Sequence, residues 1–418
     1  MSDARFSDRR DEHASTAARP TTAQRFLELA GAFLRLGCLS FGGPIAHLGY
    51  LRTEFVEERK WLDDARYGEL VALCQFLPGP ASSQVVFALG MQRAGLLGAL
   101  LASACFTLPS ATLMIGLAYG IDRASNLSRA GWLCGLKLAA TAVVAQAVWG
   151  MGRRLCTDRA RISLCIGSAA VLLAVPGVLA QLDVIACGGL VGWRLYRDTS
   201  GDTTAPEATT STHRPIAAAT ALLAFGALLG ALPLLAAATG SHPLTVFDSF
   251  YRSGSLVFGG GHVVLPLLRA EIVPRGWLAD DVFLAGYGAA QALPGPMFAF
   301  SAYLGAAMGS GPTRWLDGLG CLLGIFLPAW LLIGGALPFW NRLRATRWAR
   351  AALAGANAAV VGVLLAALYD PVVRESVHGP RDVAAALVAF ALLEHWKVPP
   401  WLVVAASAAA GEWLCLGT

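Results

Sequence analysis

Charge is scarce in this sequence. Only 14% of its 418 residues are Asp, Glu, Lys or Arg, where a soluble globular chain carries roughly 25%. Together with a hydrophobic content of 56% and a mean hydropathy of +0.57, that scarcity excludes a soluble domain and points to an all-α polytopic membrane protein. Polybasic runs with interleaved aromatics are missing, so the net charge of +5 belongs to loop topology, and nucleic acid is not an expected partner. A Walker-type phosphate loop, an H-E-x-x-H zinc helix and a G-x-S-x-G elbow are all absent. An ATPase, an intramembrane enzyme, a bound metal and a cofactor are therefore not expected. The nine cysteines stand singly in apolar segments without C-x-x-C spacing, which reads as small buried hydrophobes and not as a redox or metal site. Carboxylates are rare inside the apolar runs. Glu28, Asp183, Asp248 and Glu394 fall near run ends, which disfavours a proton-relay pump. Residues 1–23 are polar and Arg-rich with neither an apolar core nor a cleavage site, and read as a cytoplasmic tail.

What the chain does have is apolar runs, duplicated. In the first repeat, residues 24–197, they cover 24–41, 69–91, 95–120, 131–151, 162–180 and 182–197. A Thr-, Ser- and Asp-rich linker follows at 198–215 and an extra apolar run at 216–238. The second repeat, 239–418, carries runs at 243–258, 282–308, 315–340, 351–370, 382–395 and 399–416. Phe33, Arg35, Gly37 and Glu54 match Phe250, Arg252, Gly254 and Glu271 at an offset of 217 residues. Trp61, Asp64 and Gln75 match Trp277, Asp280 and Gln291 at 216, and Leu108-Pro109 faces Leu327-Pro328. The unmatched run 216–238 makes the second half enter from the opposite side, which gives an inverted repeat of about 13 transmembrane helices. Arg153, Arg154, Arg159 and Arg161 in one half, and Arg342, Arg344, Arg347 and Arg350 in the other, lie at the different repeat positions that inversion requires, with the amino terminus cytoplasmic. Arg52, Arg59, Lys60 and Arg66 disagree with this count, and a re-entrant hairpin over 26–58 would remove the conflict.

Helix breakers recur inside these runs in register. Phe41-Gly42-Gly43-Pro44 returns as Phe258-Gly259-Gly260, and Leu77-Pro78-Gly79-Pro80 returns as Leu293-Pro294-Gly295-Pro296. Such pairs mark discontinuous helices around a binding site. Pro44 and Pro80 suit the first turn of a helix, whose free N–H groups carry a partial positive charge and bind anions, and Ser82 and Ser83 add hydroxyl donors. The alternative is that the glycines only permit close packing and the prolines only kink.

Arg35 and Arg252 are candidate ligands or gates, because a guanidinium inside an apolar run normally faces a cavity or partner and its fork suits a tetrahedral oxyanion. Otherwise they snorkel to head groups. Gln75 and Gln291 either donate to the same anion or hydrogen-bond from span to span. Lys137 has Ala354 as its repeat partner, and is either a pathway charge or an interfacial lysine. His47 and His262 are not repeat-equivalent. Each is either titratable on the pathway or a satisfied polar residue.

Phe-Gly-Gly-Pro followed by Leu-Pro-Gly-Pro, repeated in two halves, closely resembles the chromate ion transporter family in its long two-domain form. The likeness covers about 24–416 except the linker and the extra run. It implies a bacterial inner-membrane protein that exports chromate and confers chromate resistance, with sulfate-like oxyanions as alternative cargo. The expected partners are that anion, the lipid bilayer and a second copy of the chain in a homodimer. Helix amino termini plus Arg would supply positive donors without an obligatory counter-ion, and the membrane potential would drive a dianion outward. A permease or exchanger for sulfate, an anion channel and a membrane scaffold are the competing readings. One departure from the pattern puts Gly261-His262 where the first copy has Pro44-Ile45, so the first half is expected to contribute more of the binding.

Overall fold

A computed structural model of the chain describes residues 21–40, 43–123, 131–175, 178–196, 215–257, 263–339 and 347–415. Among them every regular element is helical. The first half holds α1 (Thr22–Leu39), α2 (Gly43–Arg52), α3 (Asp64–Phe76), α4 (Ala81–Arg123), α5 (Gly131–Leu155), α6 (Arg159–Ala174) and α7 (Val178–Tyr196). After α8 (Pro215–Thr239) the second half holds α9 (His242–Ser255), α10 (Val264–Ile272), α11 (Asp280–Ala292), α12 (Phe300–Met308), α13 (Arg314–Ala336), α14 (Arg347–Ala367), α15 (Pro380–Glu394) and α16 (Pro400–Cys415). Local chemistry sets several starts. Thr21 and Gln24 form a capping box on α1, and the Asp63 and Asp158 carboxylates accept from the first turns of α3 and α6.

Among the described residues five stretches are long and apolar enough to cross a bilayer: Ala81–Gly120, Cys134–Leu155, Ile216–Thr239, Arg314–Phe339 and Arg350–Asp370. The others are shorter or less apolar. At 14 and 13 residues, α9 and α11 measure about 21 and 20 Å, short of a hydrocarbon core of about 30 Å. The runs 69–91 and 282–308 are each divided, at Leu77–Pro80 and at Leu293–Ala299, as the breakers predict. The gap between 91 and 95 falls at Ala94 and Gly95, which leave helical geometry and divide α4 into two helices folded back on each other: a Cβ added to Gly90 would lie 2.5 Å from the Gly98 carbonyl oxygen and 2.8 Å from Ala102 Cβ.

The cysteine reading needs correction. Cys134 is disulfide-bonded, and Cys38 and Cys187 are exposed; among the described residues Cys74, Cys165 and Cys321 are the buried thiols.

The repeat extends to contacts. A Cβ added to Gly37 would lie 2.6 Å from the Phe106 carbonyl oxygen, and one added to Gly254 would collide with the carbonyl oxygen of Ile325, the repeat counterpart of Phe106. Both glycines let a short helix (α1, α9) lie directly on the backbone of a proline-containing long one (α4, α13). The last helix pairs are exchanged: α6 and α7 pack on α14, while α15 and α16 pack on α5.

Ion pairs duplicate as well. Arg35 and Arg59 flank Glu54 at 3.6 and 2.7 Å, and Arg252 and Arg275 flank Glu271 at 3.2 and 2.8 Å. Arg52 bonds Asp64 at 2.7 Å as Arg269 bonds Asp280 at 2.9 Å. Each set ties the segment between the two breaks back to the short helix before it. The tie in the first half is reinforced by Glu28, which takes Arg59 and Arg93 at 3.3 and 2.9 Å, and by Phe33, Phe55 and Trp61 in contact. The arginines therefore face carboxylate partners, one of the surroundings expected of a guanidinium inside an apolar run. Asp248, placed near a run end by sequence, is buried within α9 and accepts from Arg252 Nε at 3.0 Å.

Two outcomes follow for purified protein in detergent. Gly37→Ala and Gly254→Ala should each lose about 1–3 kcal/mol of stability by overpacking, while Gly31→Ala, with open space around its Cβ, should not lower the unfolding midpoint. Arg252→Ala should cost about 3–5 kcal/mol because it strands buried Asp248 and leaves Arg275 alone on Glu271, whereas Arg35→Ala, whose side chain is 59% exposed, should cost about 1 kcal/mol or less. Equal midpoints for the two arginine variants would contradict this assignment.

Candidate functional site

Breaking a helix frees backbone donors and acceptors that must find partners. Here the four breaks satisfy one another across the two halves. Gly79 N–H donates to the Val257 carbonyl at 2.7 Å, and Gly295 N–H donates to the Ser40 carbonyl at 2.8 Å. Gly295 is the repeat counterpart of Gly79 and Val257 that of Ser40, so each half's Pro-Gly-Pro turn clasps the residue just before the other half's Gly-Gly break. Both donor glycines have positive φ, +122° and +92°, which a side chain would strain. The floor beneath them also corresponds. A Cβ on Gly79 would meet Ala329 Cβ at 2.9 Å, and one on Gly295 would meet Ser110 Oγ at 2.7 Å, at matched positions of α13 and α4.

Around this double clasp the sequence-predicted residues divide. Gly43 begins α2 with Pro44 in its first turn. Pro80 is buried directly before α4, whose first turn presents buried Ser82 and Ser83. Pro78 and Pro294 are half-buried, and Pro296 is buried. Gln75 is exposed at the end of α3, away from the buried turn. Gln291 is half-buried with its Nε2 3.2 Å from Met297 Sδ. Arg35 and Arg252 stand more than one helical turn before the breaks and face Glu54 and Glu271. Lys137 lies half-buried on α5, with no carboxylate in ion-pair reach among the described residues. His47 is buried at the clasp, its Nε2 3.1 Å from the Ser40 carbonyl. Gly42, Gly259, Gly260 and His262 lie outside the described residues.

The copies differ where α4 and α12 begin. α4 starts as a helix straight after Pro80, while the second copy interposes a tight turn, Met297–Ala299, before α12. Ser301, the second copy's hydroxyl, is spent on the Phe298 carbonyl, whereas Ser83 Oγ is buried with no partner among the described residues. The first half thus offers an uncluttered helix amino terminus with buried hydroxyls, suited to an oxyanion. Gln84, fully buried, donates from Nε2 to the Pro78 carbonyl at 2.9 Å and fixes that turn. Its signal in the sequence is an amide that follows Ser82 and Ser83 directly before a long apolar run. Glu54 and Glu271 were visible as repeat matches, but nothing local in the sequence says that they reach back to α1 and α9.

Comparison with known proteins gives a match to the Chromate transporter family over residues 27–193 and again over 244–412. The chain is 32% identical over 373 residues to the chromate transport protein of Pseudomonas aeruginosa, covering 85% of this chain and 83% of the relative. It is 28% identical over 406 residues to the chromate transport protein of Cupriavidus metallidurans (95% and 94% covered), and 27% identical over 414 residues to the probable chromate transport protein of Synechococcus elongatus (92% and 94%). No solved structure matches the chain. Matched once in each half and by relatives along most of its length, the chain belongs to the chromate transporter family.

Proposed function

We propose that this protein exports chromate across a bacterial inner membrane, with the membrane potential as driving force, and so confers chromate resistance. The observation that carries the reading is the reciprocal clasp: two pairs of broken helices meet, and one of them directs a free helix amino terminus with Ser82 and Ser83 into the meeting point. Relatives named chromate transport proteins support the cargo. Chromate is a tetrahedral dianion. Moving one charge through 100 mV is worth about 2.3 kcal/mol, so an inside-negative potential favours exit of a dianion by roughly a thousandfold per 100 mV.

In this reading the halves are inverted. The support is α8, an apolar helix of 25 residues with no counterpart in the first half, and the Arg153–Arg161 cluster on the side assigned to the cytoplasm. The second half, with its altered break, supplies less of the anion's coordination.

Topology can be probed with single cysteines in a cysteine-free background. A cysteine at Asp158, between α5 and α6, should label only from the cytoplasm, and one at His378, at the corresponding turn between α14 and α15, only from outside. Labelling of both from one side would refute inversion. For function, proteoliposomes of known orientation should show chromate flux that scales with an imposed potential, falls about tenfold or more in Ser82→Ala plus Ser83→Ala at unchanged expression, and is competed by sulfate only weakly. Flux that ignores the potential yet stops when only a proton gradient is removed would overturn the driving force, and equal competition by sulfate would overturn the cargo.

A further inference from the structure

On α2 and in the first turn of α4, three buried side-chain atoms find no hydrogen-bond partner among the described residues: His47 Nδ1, Ser83 Oγ and Gln84 Oε1. A hydroxyl can rotate and an amide can turn over, but the imidazole is committed. Its Nε2 lies 3.1 Å from the Ser40 carbonyl oxygen, which can only accept, so Nε2 carries the hydrogen and Nδ1 presents a lone pair. The residue is 1% exposed, and its ring stands edge-on to Phe106 at 5.7 Å. The same Ser40 carbonyl receives Gly295 N–H, so His47 shares an acceptor with one arm of the clasp. It occurs once. The repeat counterpart of position 47 is Val264.

The neighbouring charges are already engaged. α2 packs against the turn at 53–58, α3 and α4. On these, Glu54 is held by Arg35 and Arg59, Glu57 and Asp64 by Arg52, Asp63 by Arg66, and Arg93 by Glu28. Glu58 is exposed and Glu69 is engaged elsewhere. The Tyr67 hydroxyl donates to the Leu48 carbonyl, and Cys74 is a buried thiol. None of the carboxylates bonds the imidazole. A proton added at Nδ1 would therefore place a full charge beside the positive end of α2 with no protein counter-ion, an arrangement that costs free energy until an anion arrives. A bound oxyanion is the missing counter-charge.

We propose that His47 takes up one proton from bulk water when an oxyanion occupies the clasp and returns it when the anion leaves, so that anion and proton binding are linked. This rests on the reading of the clasp as the anion site. It adds that the complex that moves carries less net charge than the free dianion. No bond to the anion is made or broken, and the proton is exchanged with solvent.

The test is calorimetric titration of the full-length protein in nanodiscs with chromate and with sulfate, each in two buffers of different protonation enthalpy. Wild type should take up as much as one proton more per bound anion than His47→Gln, whose amide can still donate to Ser40; the comparison cancels chromate's own acid–base chemistry. Equal proton counts in the two proteins would overturn the proton link while leaving the anion site standing. Absence of binding heat and of competition by either anion would overturn both. Should His47→Gln fail to fold, wild-type affinity for sulfate, which stays a dianion from mildly acid to mildly alkaline pH, decides alone. It should weaken up to tenfold per pH unit as the solution becomes alkaline, and a flat profile refutes the proposal.

Discussion

A bilayer offers no water to a broken helix, so every N–H and carbonyl released by a break must be met by protein. The exchange between Gly79 and Val257, and between Gly295 and Ser40, meets that demand by making each half the solvent of the other. The rest of the architecture serves this meeting. Gly37 and Gly254 bring the short helices down onto the long ones, the positive-φ glycines aim the donors, and Ala329 and Ser110 leave just enough room beneath them.

Electrostatics then holds the pieces in place. A helix of 13 or 14 residues has too little apolar length to be fixed by the membrane alone. Glu54 and Glu271, each gripped by two arginines, join the segment between the breaks to the helix in front of it. Charge scarcity gives these few pairs their leverage. The copies are not equal in this respect: Glu28 and Arg93 extend the first network, and Asp248 extends the second, so the same fold is tethered by different residues on its two sides.

The breaks themselves were legible, because Gly and Pro act through the backbone of their own residue and betray themselves without a partner. The duplication was legible for the same reason: a constant offset needs no three-dimensional knowledge. Arg35 and Arg252 were found, but their role as tethers was not, since Glu54 and Glu271 reach them only after a reversal of the chain, 19 residues on in each half, that local pattern does not encode. The clasp was invisible. A backbone-to-backbone hydrogen bond leaves no side-chain signature, and the only hint was that glycine stands at both donors. The turn at Ala94–Gly95 falls in the gap between two apolar runs, where a glycine in left-handed geometry lets the chain reverse within a residue or two.

The exchanged helix pairs bear on how such a protein is made. α5 emerges from the ribosome long before α15 and α16, the helices that cover it, and α6 and α7 must wait for α14. The first half therefore enters the membrane with the faces of three helices open, and it cannot reach its final packing until nearly the last residue of α16 has been synthesised. Insertion and folding are thereby separated in time along this chain, and the interval between them, set by the length of the second half, is when the nascent protein depends most on lipid or insertion machinery to shield those faces.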